Sequence, residues 1–489
     1  MKKLLCIILA LSFMFSTTAL SGCGNSEPDG TIIRICNCED YIDESLLEEF
    51  TEETGIEVIY STYGTNENLD NELVINPNSF DLVVPSEYMI QNLAAEGRLN
   101  KLDMSKVPNY KPSKYIDERL GNIKFEVKGG KYEGEQTTID QYMVGYMWGT
   151  MGWVYNTDKV DKKDVQSWSG PFKNKDISGK ITIKDSVRDS YLVGLAMSYK
   201  DRLENAKTTE EITTILNSVD QQSINLVKET LNSVKKDLYG FEVDSGKNDI
   251  VLGNIYAYVA WSGDAAYAID VATGEVEDED GTFVENTKNL SYYIPDEGSN
   301  IWFDGFCMPS GSTNYEAVYE FLNFISKPEN VIRNMEYTGY TSLVASDEIF
   351  DDVVVSWFDE SEDLEEGEGV SVNLGYFFGK DKDYTVTVSE EGLGRLIAQY
   401  PTEDIVKKCA VMNYFDGETL MLINEMWEGV KGETFDTWVL ILFAVIILAT
   451  AVIILAYRNR DKLKWLKPTR ERKDYATRKG LEIIKKENV

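Results

Sequence analysis

The stretch Leu46-Leu47-Glu48-Glu49-Phe50-Thr51-Glu52-Glu53-Thr54-Gly55-Ile56-Glu57-Val58-Ile59-Tyr60 decides the fold. Leu46, Leu47 and Phe50 fall on one face of a 3.6-residue period, which predicts an amphipathic helix over about Asp43–Thr54. Gly55 is placed to end it, because glycine adopts the left-handed turn that closes a helix at little cost. The next residues, Ile56–Tyr60, are β-branched or aromatic and read as a strand.

The same alternation extends in both directions. Thr31–Ile35 is a short β-branched run upstream. Downstream, Asp81–Val84 reads as a buried strand closed by Pro85, with Ser86 placed to cap a helix that runs to Glu96 and stops at Gly97. Lys180–Lys184 is a strand followed by a helix from about Ser186. Ile255–Trp261 is another, and Ser262-Gly263-Asp264 opens its helix. Ile301–Pro309 is followed by helices at about Asn314–Ser326 and Pro328–Tyr337. This pattern over 31–430 predicts an α/β architecture with largely parallel sheets. Two acidic, glycine-containing stretches, Thr273–Asn286 and Asp359–Gly369, read as surface insertions.

Ligands of open α/β sheets bind beyond the carboxyl ends of the strands. That rule selects the loops starting at Cys36, Pro85, Asp185, Trp261 and Asp304. They carry Glu39-Asp40-Tyr41, Ser86-Glu87-Tyr88, Asp185 with Asp189, Trp261-Ser262-Gly263-Asp264, and Trp302-Phe303-Asp304. Tyr337 and Tyr340 flank Gly339 in a later turn. A linear polyamine needs carboxylates at the spacing of its ammonium groups and flat aromatic walls for its methylene stems. An aromatic face attracts a cation by roughly 0.5–2 kcal/mol, and a carboxylate fixes its position. One such loop would mean little, since an acid at a helix start is usually a cap and a lone aromatic is usually core. Five loops of one chemistry point to a cationic ligand.

Composition narrows the rest. The 489 residues contain no histidine, which excludes Ser-His and Cys-His nucleophiles and His-ligated zinc. No metal-ligand spacing is evident, no cofactor is implied, and nothing points to an enzyme: abundant acids form pairs by chance, and no nucleophile motif accompanies them. With 83 acids against 48 Lys plus Arg, the chain carries net −35, a field that repels nucleic acid and steers cations inward.

The ends speak of a membrane. Met-Lys-Lys precedes an apolar run, Leu4 to Phe15, in the layout of a secretory signal. It ends in Leu20-Ser21-Gly22-Cys23, which looks like a bacterial lipobox with Cys23 as the lipidated residue, followed by a polar tether over 23–30. Trp438 to Tyr457 is uncharged, apolar and 20 residues long, enough to span a bilayer, with an aromatic at each rim. The tail at 458–489 holds 12 basic and 5 acidic groups, which places it in the cytoplasm and the bulk of the chain outside. Cys36, Cys38, Cys307 and Cys409 read as unpaired small hydrophobes, with a disulfide from the first pair to Cys307 or Cys409 left open.

Several segments resemble the spermidine/putrescine-binding family of ABC-transporter receptors. They are Leu46 to Tyr63, Phe80-Asp81-Leu82-Val83-Val84-Pro85-Ser86 followed by Tyr88, Gly145-Tyr146-Met147-Trp148-Gly149, Trp302-Phe303-Asp304 and Gly339-Tyr340. The resemblance runs from about Thr31 to Lys431. It implies a two-lobed fold of the type II periplasmic-binding-protein kind with the ligand in a hinged cleft. Lobe 1 would comprise 31–145 and 297–345, and lobe 2 would comprise 146–296 and 346–432. Carried over residue by residue, the family's ligand contacts fall on Glu39, Asp40, Tyr41, Ser86, Tyr88, Asp189, Trp261, Trp302, Asp304 and Tyr340, with Asn413 more loosely aligned. Asp304 would hold one ammonium and Asp189 another, between walls of Tyr41, Tyr88, Trp261 and Tyr340. Two departures matter: Cys38 stands where an aromatic is usual, and Ser186 where a carboxylate is. Asp264, in Trp261-Ser262-Gly263-Asp264, resembles the putrescine-preferring members, so the choice between putrescine and spermidine stays open. The implied partners are an ABC permease and, through it, a cytoplasmic ATPase. A sensor signalling through the span, or the same fold binding another small solute, are the alternatives.

Overall fold

Leu46, Leu47 and Phe50 form the buried face of helix α1 (Ser45–Thr54), which Gly55 closes at φ 74°. The Phe50 ring lies 5.2 Å from Phe321 and 5.4 Å from Phe324, edge-on to both. Burying a side chain of this size contributes roughly 1.5–3 kcal/mol. The computed structural model describes residues 31–273, 275–277, 283–285, 289–365 and 367–432. The leader, Cys23 and its tether, the apolar run at 438–457 and the basic tail lie outside them. Among the described residues no helix is long and apolar enough to cross a membrane. The chain divides into two units, 1–427 and 428–489; of the second, only residues 428–432 are described.

The first unit is built on an eleven-stranded sheet. Its strands are β1 (Ile32–Cys38), β2 (Glu57–Tyr63), β3 (Leu82–Val83), β4 (Met143–Asn156), β5 (Ile181–Lys184), β6 (Leu238–Glu242), β7 (Ala257–Trp261), β8 (Leu290–Tyr293), β9 (Ser299–Cys307), β10 (Thr341–Ser342) and β11 (Cys409–Ala410). The main order is β2-β1-β3-β9-β4-β7-β5-β6. The two wings are parallel, as the β/α alternation predicts: β1 with β2 and β3, and β5 with β6 and β7. The centre is not. β9 runs antiparallel to β3 and β4, and β4 antiparallel to β7.

β4 is the element that joins the wings, and all fourteen of its residues are buried. Its first part pairs with β9, up to Thr150 opposite Ile301, and its second part pairs with β7, starting at Met151 opposite Trp261. One strand therefore sets the register of both wings.

Helices follow the strand ends as expected: α2 (Glu87–Ala95) after β3, α3 (Val187–Ser198) after β5, α4 (Ser262–Thr273) after β7, and α5 (Tyr315–Ile325) and α6 (Pro328–Thr338) after β9. Ser86 differs from expectation. It stands at the N-cap of α2 but makes no capping bond; its hydroxyl accepts from the Asn66 amide at 3.1 Å instead. Cys36, Cys38, Cys307 and Cys409 are free thiols, so the disulfide left open does not form.

Candidate functional site

β4 also places the aromatic residues. Gly149 lies opposite Trp302 of β9, Met151 opposite Trp261 of β7, and Trp148 opposite Thr341 of β10. The two tryptophans and the turn holding Tyr340 thus converge on four consecutive residues of one strand. Glycine at 149 is required there: a Cβ would sit 2.5 Å from the Trp302 ring.

Asp304 lies where the β9 register shifts, between Phe303 and Gly305, and it bridges to Ser86. A bulge re-aims one side chain out of the strand pattern. Tyr41 Oη donates to Asp304 Oδ2 at 2.7 Å, while Oδ1 is buried with no protein partner. Burial pushes the Asp304 carboxyl up to about 6, against the opposing hydrogen bonds from Tyr41 and Ser86. The rings of Tyr41 and Tyr340 meet edge-on at 5.4 Å, and Tyr340 meets Trp302 at 5.4 Å. The indole N–H of Trp302 is also buried without a partner. An aromatic enclosure with one free carboxylate oxygen is suited to an ammonium.

On the second wing, Asp189 sits in the first turn of α3, where the Ser186 hydroxyl accepts from its backbone N–H at 3.4 Å. The Asp189 carboxyl is buried and shifted upward by that burial, against hydrogen bonds from Ser186 and Trp261 and the charge of Lys184. Asp264, in the first turn of α4, has both oxygens engaged. Tyr340 Oη donates to Oδ1 at 3.2 Å and Lys184 Nζ to Oδ2 at 3.4 Å. Gly263 beside it is needed for the Tyr340 ring, which a Cβ there would meet at 2.4 Å.

The other expected residues are arranged less uniformly. Tyr88 is half-buried; its hydroxyl donates to Glu67 at 3.2 Å, and the Arg188 guanidinium covers its ring at 3.7 Å. Arg188 also lies 4.4 Å from the Phe415 ring and donates to the Asn413 carbonyl. Asn413 therefore touches the site through its backbone, its residue being exposed. Glu39 and Asp40 are exposed, on the same loop as Tyr41, with Asp40 at φ 51°. The structure thus brings Tyr41, Ser86, Trp302, Asp304, Tyr340 and Asp264 together, with Trp261 hydrogen-bonded to Asp189 and stacked against Lys184.

Sequence reasoning missed two buried charged residues, Lys184 and Glu242, and named Glu87 only as part of its acid-aromatic loop. Lys184 is 1% exposed, with Nζ 3.6 Å from Glu242 and 4.2 Å above the Trp261 ring. Glu87 accepts from the Phe303 N–H at 3.0 Å, and burial pushes its carboxyl up to about 8. Their signal was positional: each ends a strand or opens a helix beside an acid-aromatic loop. Among the described residues no group of His, Cys, Asp or Glu is arranged to hold a metal ion.

Comparison with known proteins follows this geometry. Residues 45–353 match the family described as bacterial extracellular solute-binding protein. The chain is 26% identical over 314 residues to the spermidine/putrescine-binding periplasmic protein of Escherichia coli, covering 64% of this chain and 77% of that one. It is 28% identical over 339 residues to the putrescine-binding periplasmic protein SpuD of Pseudomonas aeruginosa, covering 67% and 82%. Among solved structures, the spermidine/putrescine ABC transporter substrate-binding protein PotD of Streptococcus pneumoniae superposes with a TM-score of 0.57 at 25% identity, over 82% of this chain and all of that one. The Tp0655 lipoprotein of Treponema pallidum gives 0.56 at 17% identity and shares the two-lobed α/β fold.

Proposed function

We propose, from the premise that this chain belongs to the bacterial extracellular solute-binding protein family, that it captures a linear polyamine and delivers it to an ABC importer. The family is one of binding proteins, and the chain is not an enzyme. The observation that carries the polyamine reading is Asp304, a buried carboxylate with one oxygen on Tyr41 and the other without a protein partner, beside Trp302 and Tyr340. Relatives named for spermidine and putrescine support it.

In this reading Asp304 holds one ammonium and Asp189 the other, with Tyr41, Tyr88, Trp261, Trp302 and Tyr340 walling the stem. Ser86 orients Asp304, Asp264 orients Tyr340, and Glu39, Asp40 and Asn413 line the mouth. The lobes would be 31–145 with 297–345 and 146–296 with 346–432, closing about β4 and β9. No bond in the ligand is made or broken. A shorter or singly charged amine leaves a buried carboxylate unpaired, and selectivity comes from that cost.

The apolar leader, the Cys23 lipobox and the apolar run at 438–457 support a receptor anchored twice, with its binding unit outside the membrane and the basic tail inside. Lipid incorporation that persists in Cys23→Ser would take the lipid site away from Cys23.

The deciding experiment is calorimetric titration of the full chain in detergent with putrescine, spermidine, spermine and a monoamine. One-to-one binding of a polyamine, with the monoamine much weaker, is expected. A folded chain that gives no heat with any amine overturns the assignment.

A further inference from the structure

We propose that Lys184 acts as a resident ammonium in the site, filling one amine position and restricting the ligand to two positive charges. This rests on the polyamine reading above. Lys184 is the last residue of β5, and its side chain turns into the second wing. Its Nζ donates to the Val243 carbonyl at 2.8 Å, lies 3.4 Å from Asp264 and 3.6 Å from Glu242, and sits 4.2 Å from the centre of the Trp261 ring.

A lysine ammonium on four methylenes is chemically one end of a diaminoalkane. The unit of Asp264, Glu242 and Trp261 has the composition that recognises such an end, and the chain's own amine already closes it. The arrangement leaves few charges for the ligand. Glu242 and Asp264 pair with Lys184, and Glu87, which accepts from the Phe303 N–H and whose carboxyl burial pushes up to about 8, is mostly uncharged at neutral pH. Among the described residues, no Lys or Arg forms an ion pair with the buried Asp189 or with Asp304. Two buried carboxylates outside any such ion pair match a diamine. A third ammonium would have to displace Lys184 or remain unpaired, and a desolvated unpaired charge is costly.

A purely structural ion pair, holding the start of α4 to the end of β6, would have no effect on ligand choice. The test is therefore a ratio of affinities. Putrescine and spermidine are titrated into full-length wild type, Lys184→Met and Glu242→Gln. Wild type should favour putrescine, and Lys184→Met should move the spermidine-to-putrescine affinity ratio by about tenfold or more toward spermidine. Glu242→Gln keeps Asp264 for Lys184 and should cost putrescine less than about fivefold, because Glu242 serves the resident amine.

A ratio unmoved in Lys184→Met, with both amines still bound, overturns this inference alone. So does a hundredfold loss of putrescine in Glu242→Gln, which decides the matter if Lys184→Met fails to fold. A wild-type chain that binds neither amine overturns the polyamine reading itself.

Discussion

Tyr41 and Asp304, 263 positions apart in the chain, meet in a 2.7 Å hydrogen bond from the phenol to the carboxylate. The loop after β1 and the bulge in β9 are brought together by β3, which pairs with both strands. The bond fixes one oxygen of Asp304, and the other is buried without a protein partner. Replacing Asp304 with Asn should weaken polyamine binding by about 2–5 kcal/mol, as for one partner of a desolvated charge pair. Tyr41→Phe should cost less, roughly 1.5–3 kcal/mol, since it removes a hydrogen bond to a charged group while keeping the ring. Calorimetry on both variants checks the order, and a Tyr41→Phe loss exceeding that of Asp304→Asn would contradict it.

The Asp304 carboxyl also predicts a pH profile. In the folded chain it titrates near 6, against 3.8 for an ordinary aspartate. The folded state therefore holds a proton that the unfolded state releases, so Asp304 stabilises the fold below about pH 4, and this contribution is lost as pH rises through 6. Binding runs the other way, because an ammonium needs the ionised form. Polyamine affinity should climb by up to about tenfold per pH unit below 6 and level off above it. Asp304→Asn should abolish that slope. Affinities measured from pH 5 to 7.5 that are flat in wild type would remove Asp304 as an amine partner.

Glu87 gives an independent test on the unliganded chain. Its folded carboxyl is pushed to about 8 by burial, from 4.5. The same sign applies: its contribution is complete below pH 4.5 and lost as pH rises through 8. Glu87→Gln resembles the protonated acid and cannot ionise. The variant should match wild type in thermal midpoint near pH 4, draw ahead as the pH rises and exceed it fully at pH 9. A variant less stable than wild type at both pH values would show that Glu87 works as a carboxylate.

Much of this was legible in the sequence, and the limits have physical causes. The helices after Gly55-flanked, Pro85-closed and Trp261-ended strands were visible because their caps and apolar periods are local. β4 was not, although all of it is buried. It has no alternation of period two, and its three glycines read as breaks, whereas each marks a close approach such as that of Trp302 to Gly149. Lys184 was missed for a different reason. A lysine ending a strand reads as solvent-facing, and its burial depends on Glu242 and Asp264, contributed from far along the chain.

Gly263 connects that local signal to the site. A methyl group there would strike the Tyr340 ring at 2.4 Å. Tyr340 would have to leave its contacts with Tyr41, Trp302 and Asp264. Gly263→Ala should lower stability by about 1–3 kcal/mol, the usual range for overpacking, and weaken binding beyond what the unfolded fraction explains. Normal polyamine affinity in this variant would place Tyr340 outside the wall of the site.

Arg188 supplies a kinetic prediction. Its planar guanidinium stacks 3.7 Å from the Tyr88 ring and 4.4 Å from Phe415, so the first wing's α2 and the second wing's α3 are held through one side chain. A lysine keeps the charge but loses the plane that both rings contact. If this stack holds the two wings together around bound ligand, Arg188→Lys should open the complex faster and leave capture unchanged. The dissociation rate should rise by about two- to thirtyfold, for one or two stacking contacts at about 0.5–1 kcal/mol each, with the association rate within error of wild type. Stopped-flow tryptophan fluorescence resolves the two rates. A fall in association rate with unchanged dissociation would mean that Arg188 shapes the entrance for an incoming cation rather than holding the wings together after it has bound.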